Sequence, residues 1–164
     1  MKEIINVLTG EVKASNEHVI FKSSAIGSCV VVAAFDLKLM ISAMAHIMLP
    51  GIAPEKSKTP KTRYAFNAIE EMINQMVKLG ADTENIEVCV VGGSNVLKRP
   101  DDTICQANID SVLNILTEKN IKIKAKSLGG TRRRSVFFDT KTSNVYHSIG
   151  GEDDKLLSCF LCDD

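Results

Sequence analysis

Hydrophobic positions are densest between Ala25 and Pro50, where two apolar runs flank a short polar break at Asp36-Leu37-Lys38. Both runs are rich in β-forming residues, so the pattern predicts a β-hairpin. A two-residue loop at Leu37-Lys38 places Asp36 opposite Leu39. Counting back along both arms, it places Cys29 opposite His46 on the same face. Directly opposed Cβ atoms lie about 4.5–5.5 Å apart, a separation at which a thiol and an imidazole can exchange a proton. Leu-Lys is not a favoured tight-turn pair, and a three-residue loop turns the two side chains to opposite faces. The pattern leaves both registers open.

Upstream, residues 4 to 15 contain short alternating stretches such as Glu11-Val12-Lys13-Ala14, which predict a half-buried strand ended by a turn at Asn16-Glu17. Val19 to Ser24 reads as another strand, with Val19, Phe21 and Ser23 on one face. Downstream, residues 52 to 61 are polar, carry Pro54 and Pro60, and read as a surface loop. A helix follows, with Thr59 as N-cap and Pro60 at its first position. Its apolar face is Ala65, Ile69, Met72, Ile73, Met76 and Leu79, and Gly80 stops it. The continuous apolar run from Ile86 to Val91 predicts a buried strand, closed by Gly92-Gly93-Ser94-Asn95. A glycine pair after a strand suits an anion, but no dinucleotide or P-loop pattern follows.

A second helix is expected from Asp102 to about Lys119, capped by Asp101 or Asp102. Its inner stripe is Ile104, Asn108, Ile109, Val112, Leu113 and Leu116. Asn108 is a polar intruder on that stripe, expected to bond a loop backbone. Ile121 to Leu128 alternates, with Ile121, Ile123 and Ala125 inward and Lys122, Lys124 and Lys126 outward. Beyond Gly129-Gly130 and Arg132-Arg133-Arg134, the segments 135 to 139 and 144 to 148 read as a closing hairpin. Strands surrounding two helices give a mixed α/β architecture with both helices covering the sheet.

Composition narrows the class. Among 164 residues, Lys+Arg and Asp+Glu both number 20, so no charge imbalance points to nucleic acid or a membrane surface. No apolar run spans a bilayer, and the N-terminus lacks the pattern of a signal peptide. Five cysteines at irregular spacing make no disulfide framework, and a reducing, cytoplasmic setting is expected. Cys159-x-x-Cys162 lacks the second ligand pair of a structural zinc site. No metal or organic cofactor is expected. The apolar tail, LLSCFLCDD, is expected to dock on the body of the protein or on another protein.

The candidate chemistry centres on Cys29 and His46. An imidazole beside a thiol favours the reactive thiolate. A buried free cysteine and a hydrogen-bonded core histidine account equally for the same residues. Gly27 allows close approach of the backbone to a ligand, and a backbone N–H near Cys29 can serve as an oxyanion donor. A bend at the start of a strand also explains Gly27. The three arginines suit either a solvated turn or a carboxylate-rich partner.

Ile26-Gly27-Ser28-Cys29 followed by His46-Ile47-Met48-Leu49-Pro50 resembles the LGSC…H-[FIV]-MLP signature of the CheD family of chemoreceptor glutamine deamidases. Further matches fall at Arg63-Tyr64-Ala65, Val91-Gly92-Gly93-Ser94, Asn108, and Leu128-Gly129-Gly130 with Arg134. The resemblance spans roughly residues 8 to 148. It implies a three-layer α/β fold with two main helices in one domain, residues 1–150, followed by a tail, 151–164, without family motifs. It also implies a cysteine hydrolase that converts glutamines of methyl-accepting chemotaxis receptors to glutamate. Carried over by position, Cys29 is the nucleophile and His46 the general base. Ser23 stands where the family usually has threonine, and Gly27 and Ser28 fall in the oxyanion region. Arg133 occupies a place where a glycine often precedes the late arginine, and contacts of Arg132, Arg133 and Arg134 with a partner are the coarser expectation. The family also binds the phosphatase CheC, so a regulatory module for CheC with little catalysis is the alternative function.

Overall fold

The computed structural model describes residues 2–163 and forms one α/β domain in three layers: two helices, a five-stranded sheet, and a second five-stranded sheet. The strands are β1 (Glu3–Asn6), β2 (Val12–Ser15), β3 (Val19–Ile26), β4 (Val30–Asp36), β5 (Ser42–Ile47), β6 (Ile86–Gly92), β7 (Lys122–Leu128), β8 (Arg134–Asp139), β9 (Asn144–Ile149) and β10 (Lys155–Cys159). The helices are α1 (Ala65–Lys78) and α2 (Ile104–Glu118). One sheet runs β2-β5-β4-β6-β7, and the other β1-β3-β8-β9-β10. Both are mixed, because β6–β7 and β1–β3 pair in parallel while their other pairs are antiparallel.

The continuous apolar runs mark strands buried on both faces. Every residue of β4 is buried. Val30, Val32 and Ala34 face the helices, with Ile69, Met72, Met76, Val112 and Leu116. Val31, Ala33 and Phe35 face the second sheet, with Phe21, Val136 and Phe138. The helices therefore cover one face only, and the second sheet covers the other. In the predicted alternation of β7, Ile123 packs toward the helices but Ala125 packs toward the second sheet. A bulge opposite Val88/Cys89 reverses the face between them.

The hairpin β4–β5 forms, but with a different loop. Val31, not Cys29, faces His46. The Asp36 N–H donates to Ile41 O at 2.8 Å, and the Met40 N–H donates back to Asp36 O at 2.9 Å. The loop is thus Leu37 to Met40, with Met40 in the left-handed region at φ 57°. The cause is Asp36. Its fully buried carboxylate accepts from the N–H groups of Lys38 (2.8 Å), Leu39 (2.9 Å) and Asp82 (2.9 Å), which a two-residue loop does not allow. The register moves by two residues, so Cys29 and His46 keep the same side of the sheet as diagonal neighbours.

Other boundaries also differ from the pattern. Thr59 does not cap α1. Pro60 precedes a 3-10 turn at Lys61–Arg63, and Tyr64, in extended conformation, is the N-cap of α1. At α2 the N-cap position is Thr103, not Asp101 or Asp102, although the Asp102 carboxylate just before it accepts from the Ile104 N–H at 3.0 Å. The tail docks on the body: β10 pairs with β9, and Phe160 stacks on Phe35 with ring centroids 5.4 Å apart. Cys159 and Cys162, on either side of the Phe160-Leu161 pair, have Cα atoms 5.3 Å apart and are disulfide-bonded. The sequence reading expected reduced thiols there.

Burial alone would raise the Asp36 carboxyl, but three backbone N–H bonds and the Lys38 charge outweigh it and hold it below the usual carboxylate range. A depressed folded value adds stability above the unfolded value, and that stability is lost as pH falls through the folded one. Asp36→Ala is expected to cost about 1–3 kcal/mol at neutral pH, from three N–H donors left unpaired. In urea unfolding, the gap from the unchanged protein should narrow below about pH 4. A gap that is the same at all pH values would contradict this role.

Candidate active site

Gly27, Ser28 and Cys29 form the crossover from β3, in one sheet, to β4, in the other. Cys29 is half-buried and lines a cavity of about 530 Å³ together with Gly27, Ser28, Ser94, Arg99 and Arg133. His46 lies on the face of β5 turned toward the second sheet. It is buried and borders a separate cavity of about 300 Å³ with Val7, Thr9, Lys22 and Ser24. Ser23, on β3 of the opposite sheet, reaches across the interface to it.

The hydrogen bonds fix the imidazole tautomer. The Ser23 hydroxyl donates to Val7 O at 2.5 Å, so its oxygen is left to accept at the imidazole, 3.3 Å from Nδ1. Val7 O, only an acceptor, is 3.2 Å from the same Nδ1. The proton therefore sits on Nδ1, and Nε2 carries the lone pair. Burial lowers the His46 pKa below the ordinary imidazole value, although the Val7 bond and the Glu11 charge partly oppose it. Burial pushes the Cys29 thiol up, partly offset by the Thr9 side chain. At neutral pH the two groups rest as thiol and neutral imidazole rather than as an ion pair.

The loop carrying Cys29 is held by its carbonyls. The Ser94 N–H donates to Gly27 O at 2.8 Å, and the Gly93 N–H donates to Cys29 O at 2.8 Å. Asn108 Nδ2 donates to Ser28 O at 2.9 Å and to Met48 O at 3.0 Å. The expected loop contact of Asn108 is therefore to the loop of Cys29 itself, and also to the chain just after His46. The glycine pair serves the same loop rather than an anion. At Gly92, φ is +130° and a Cβ would sit 2.2 Å from Cys29 O. Gly92, Gly93 and Ser94, weighed from the sequence as an anion cradle and matched to the family motif, instead build the Cys29 loop. Their signal was the close-approach meaning of paired glycines at a strand end.

The three arginines part company. Arg132 is exposed and pairs with Glu152 at 3.2 Å. Arg133 is exposed on the wall of the Cys29 cavity. Arg134 is buried, which removes it from any solvent-facing partner surface. Its Nε donates to Ser127 Oγ at 2.9 Å, and an Nη donates to Ser94 Oγ at 2.6 Å and to Gly129 O at 2.5 Å. It ties the ends of β6 and β7 together behind the Cys29 loop. Among the described residues no cluster of His, Cys, Asp and Glu is arranged to hold a metal, and no helix is long and apolar enough to cross a membrane.

Comparison with known proteins adds independent information. The family model described as CheD chemotactic sensory transduction matches residues 48–148, beginning just past His46. The chain is 36% identical to the probable chemoreceptor glutamine deamidase CheD of Chlorobium luteolum, over 91% of this chain and 74% of that relative. It is 30% identical to the chemoreceptor glutamine deamidase CheD of Thermotoga maritima, over 92% and 94% respectively. It is 33% identical to the probable enzyme of the same name from Archaeoglobus fulgidus, over 81% and 87%.

Gly92→Ala combines a left-handed φ with a Cβ forced against a backbone carbonyl, and is expected to cost at least about 2 kcal/mol. Thermal unfolding and the rate of Cys29 alkylation should both report it. An alanine variant with unchanged melting and unchanged alkylation would show that the close approach is not needed.

Proposed function

The chain belongs to the CheD family, and from that premise we propose that it is a cysteine-dependent deamidase converting glutamines of chemotaxis receptors to glutamate. The observation that carries this reading is that Ser23 bonds His46 across the two sheets while Thr9, on the wall of the His46 cavity, reaches the Cys29 thiol. His46 Nε2 takes the Cys29 proton while Nδ1–H stays held by Val7 O and Ser23. The thiolate sulfur attacks the glutamine carboxamide carbon. Negative charge develops on its oxygen, stabilised by backbone N–H groups of the Gly27–Cys29 loop. His46 returns the proton to nitrogen, the C–N bond breaks, and ammonia leaves a thioester. Water, deprotonated by the same imidazole, attacks the thioester, the C–S bond breaks, and glutamate and the thiol are restored.

In this reading the substrates are receptor helices on the cytoplasmic side, and no metal or organic cofactor takes part. Arg133 and Arg99 stand with Asp101 and Asp102 on the wall of the Cys29 cavity, a mixed-charge surface offered to substrate residues flanking the glutamine. A second reading is a binding module for the phosphatase CheC with little catalysis. In that case the exposed Arg132 and Arg133 contribute to the partner surface.

Mass spectrometry of a receptor cytoplasmic fragment separates the two. Conversion of glutamine to glutamate by the unchanged protein, but not by a folded Cys29→Ala variant, is the expected result. No conversion by either, with CheC still bound, would replace the deamidase by the regulatory module. Ser23→Ala removes one hydrogen bond to an imidazole that Val7 O still holds. A loss of about 1 kcal/mol, roughly fivefold in kcat, is expected.

The pH dependence follows from the same pair. The competent form carries one proton shared between thiol and imidazole. Activity is expected to rise through a His46 value below 6.5 and to fall only above a Cys29 value above 9.0. A kcat/KM profile that peaks narrowly at neutral pH would contradict this assignment.

A further inference from the structure

Among the described residues, the N–H groups of Ser28 and Cys29 have no hydrogen-bond partner, although the carbonyls of Gly27, Ser28 and Cys29 are all held. The chain has no cis peptide, and in a trans peptide the C=O and the following N–H point in opposite directions. Fixing Ser28 O therefore fixes where the Cys29 N–H points. Fixing Gly27 O does the same for the Ser28 N–H. Ser94 supplies the second anchor through its backbone, but the first comes from a side chain alone, Asn108 on α2.

Asn108 is an odd residue for its place. It is fully buried on the stripe of α2 that also carries Ile109 and Val112, where an apolar residue would suit. Its Oδ1 has no partner, so the amide is only partly compensated for its burial. Both Nδ2 hydrogens are spent on loop carbonyls, one before Cys29 and one after His46.

We infer that Asn108 is the positioning residue of the oxyanion site: by holding the Ser28 carbonyl it aims the Cys29 N–H into the cavity, at the oxygen on which charge develops. The inference rests on the reading of Cys29 as nucleophile, but not on the receptor as substrate. Asn108 touches neither substrate nor thiol and acts through the Ser28–Cys29 peptide.

Two reagents separate this role from simple support of the fold. p-Nitrophenyl acetate acylates the thiolate: an S–C bond forms, negative charge appears on the carbonyl oxygen, and p-nitrophenolate leaves. Iodoacetamide alkylates the same sulfur by displacing iodide, with no charge on a carbonyl oxygen. Rates are measured for the unchanged protein, Asn108→Ala and Asn108→Ser, with Cys29→Ala as the blank for Cys89 and Cys105, and thermal unfolding is recorded for each. Acylation is expected to fall at least about tenfold in Asn108→Ala, while the alkylation rate and its pH profile stay within about twofold. Asn108→Ser, with one donor, should fall between, and it decides the matter if the alanine variant does not fold.

Equal losses with both reagents would make Asn108 a structural residue only, and unchanged acylation in a folded variant would remove it from the site. If neither reagent labels Cys29 in the unchanged protein, the nucleophile itself is wrong and the inference falls with it. Normal acylation without receptor conversion would instead refute the receptor as substrate and leave the role of Asn108 standing.

Discussion

The Asp36 carboxylate decides how the central hairpin is threaded. β4 is apolar on both faces because it lies between two cores. Such a strand has little hydrophobic preference among registers, because a slip exchanges one apolar side chain for another. Register must come from the turn, and the three N–H donors gathered on Asp36 supply it. One donor, Asp82, belongs to the segment leading into β6, so the carboxylate joins two connections of the same sheet. From that register follow the pairing of Val31 with His46 and the placement of Cys29 just beyond the paired end of β4.

The site then occupies a place where all three layers meet. The Cys29 loop crosses between the sheets, the imidazole lies on one sheet and Ser23 on the other, and α2 reaches the loop through Asn108. Few of these contacts are near in sequence: Ser23 and His46 are separated by 23 positions, and Asn108 and Ser28 by 80. The same burial that fixes the groups also opposes their ionisation, raising the thiol and lowering the imidazole. Behind the loop, a buried guanidinium is satisfied by two hydroxyls and a carbonyl, so Arg134 contributes rigidity to the cavity wall.

Several elements were plain in the chain before any tertiary information. The amphipathic pattern of α1, the continuous runs of β4 and β6, and the closing hairpin β8–β9 all follow from local periodicity. So did the polar anomaly of Asn108 and the end of α1 at Gly80. The start of α1 did not, because Thr59-Pro60 is a good capping pair that the chain uses for a 3-10 turn instead. The reversal of faces in β7 was also hidden, since one bulged residue changes the side without changing the alternating pattern.

The sequence by itself determined the set of elements, which faces are apolar, the presence of Cys29 and His46 at the two arms of one hairpin, and the family to which the chain belongs. These depend on residue type and on spacings of two to four residues, which local sterics and burial translate directly into structure. Tertiary structure decided the register around Asp36, the second sheet covering the face opposite the helices, the separation of Arg134 from Arg132 and Arg133, and the carbonyl that Asn108 holds. Each of these depends on which distant backbone group arrives at a given polar atom. That is set by how the layers pack, and no short window of sequence contains it.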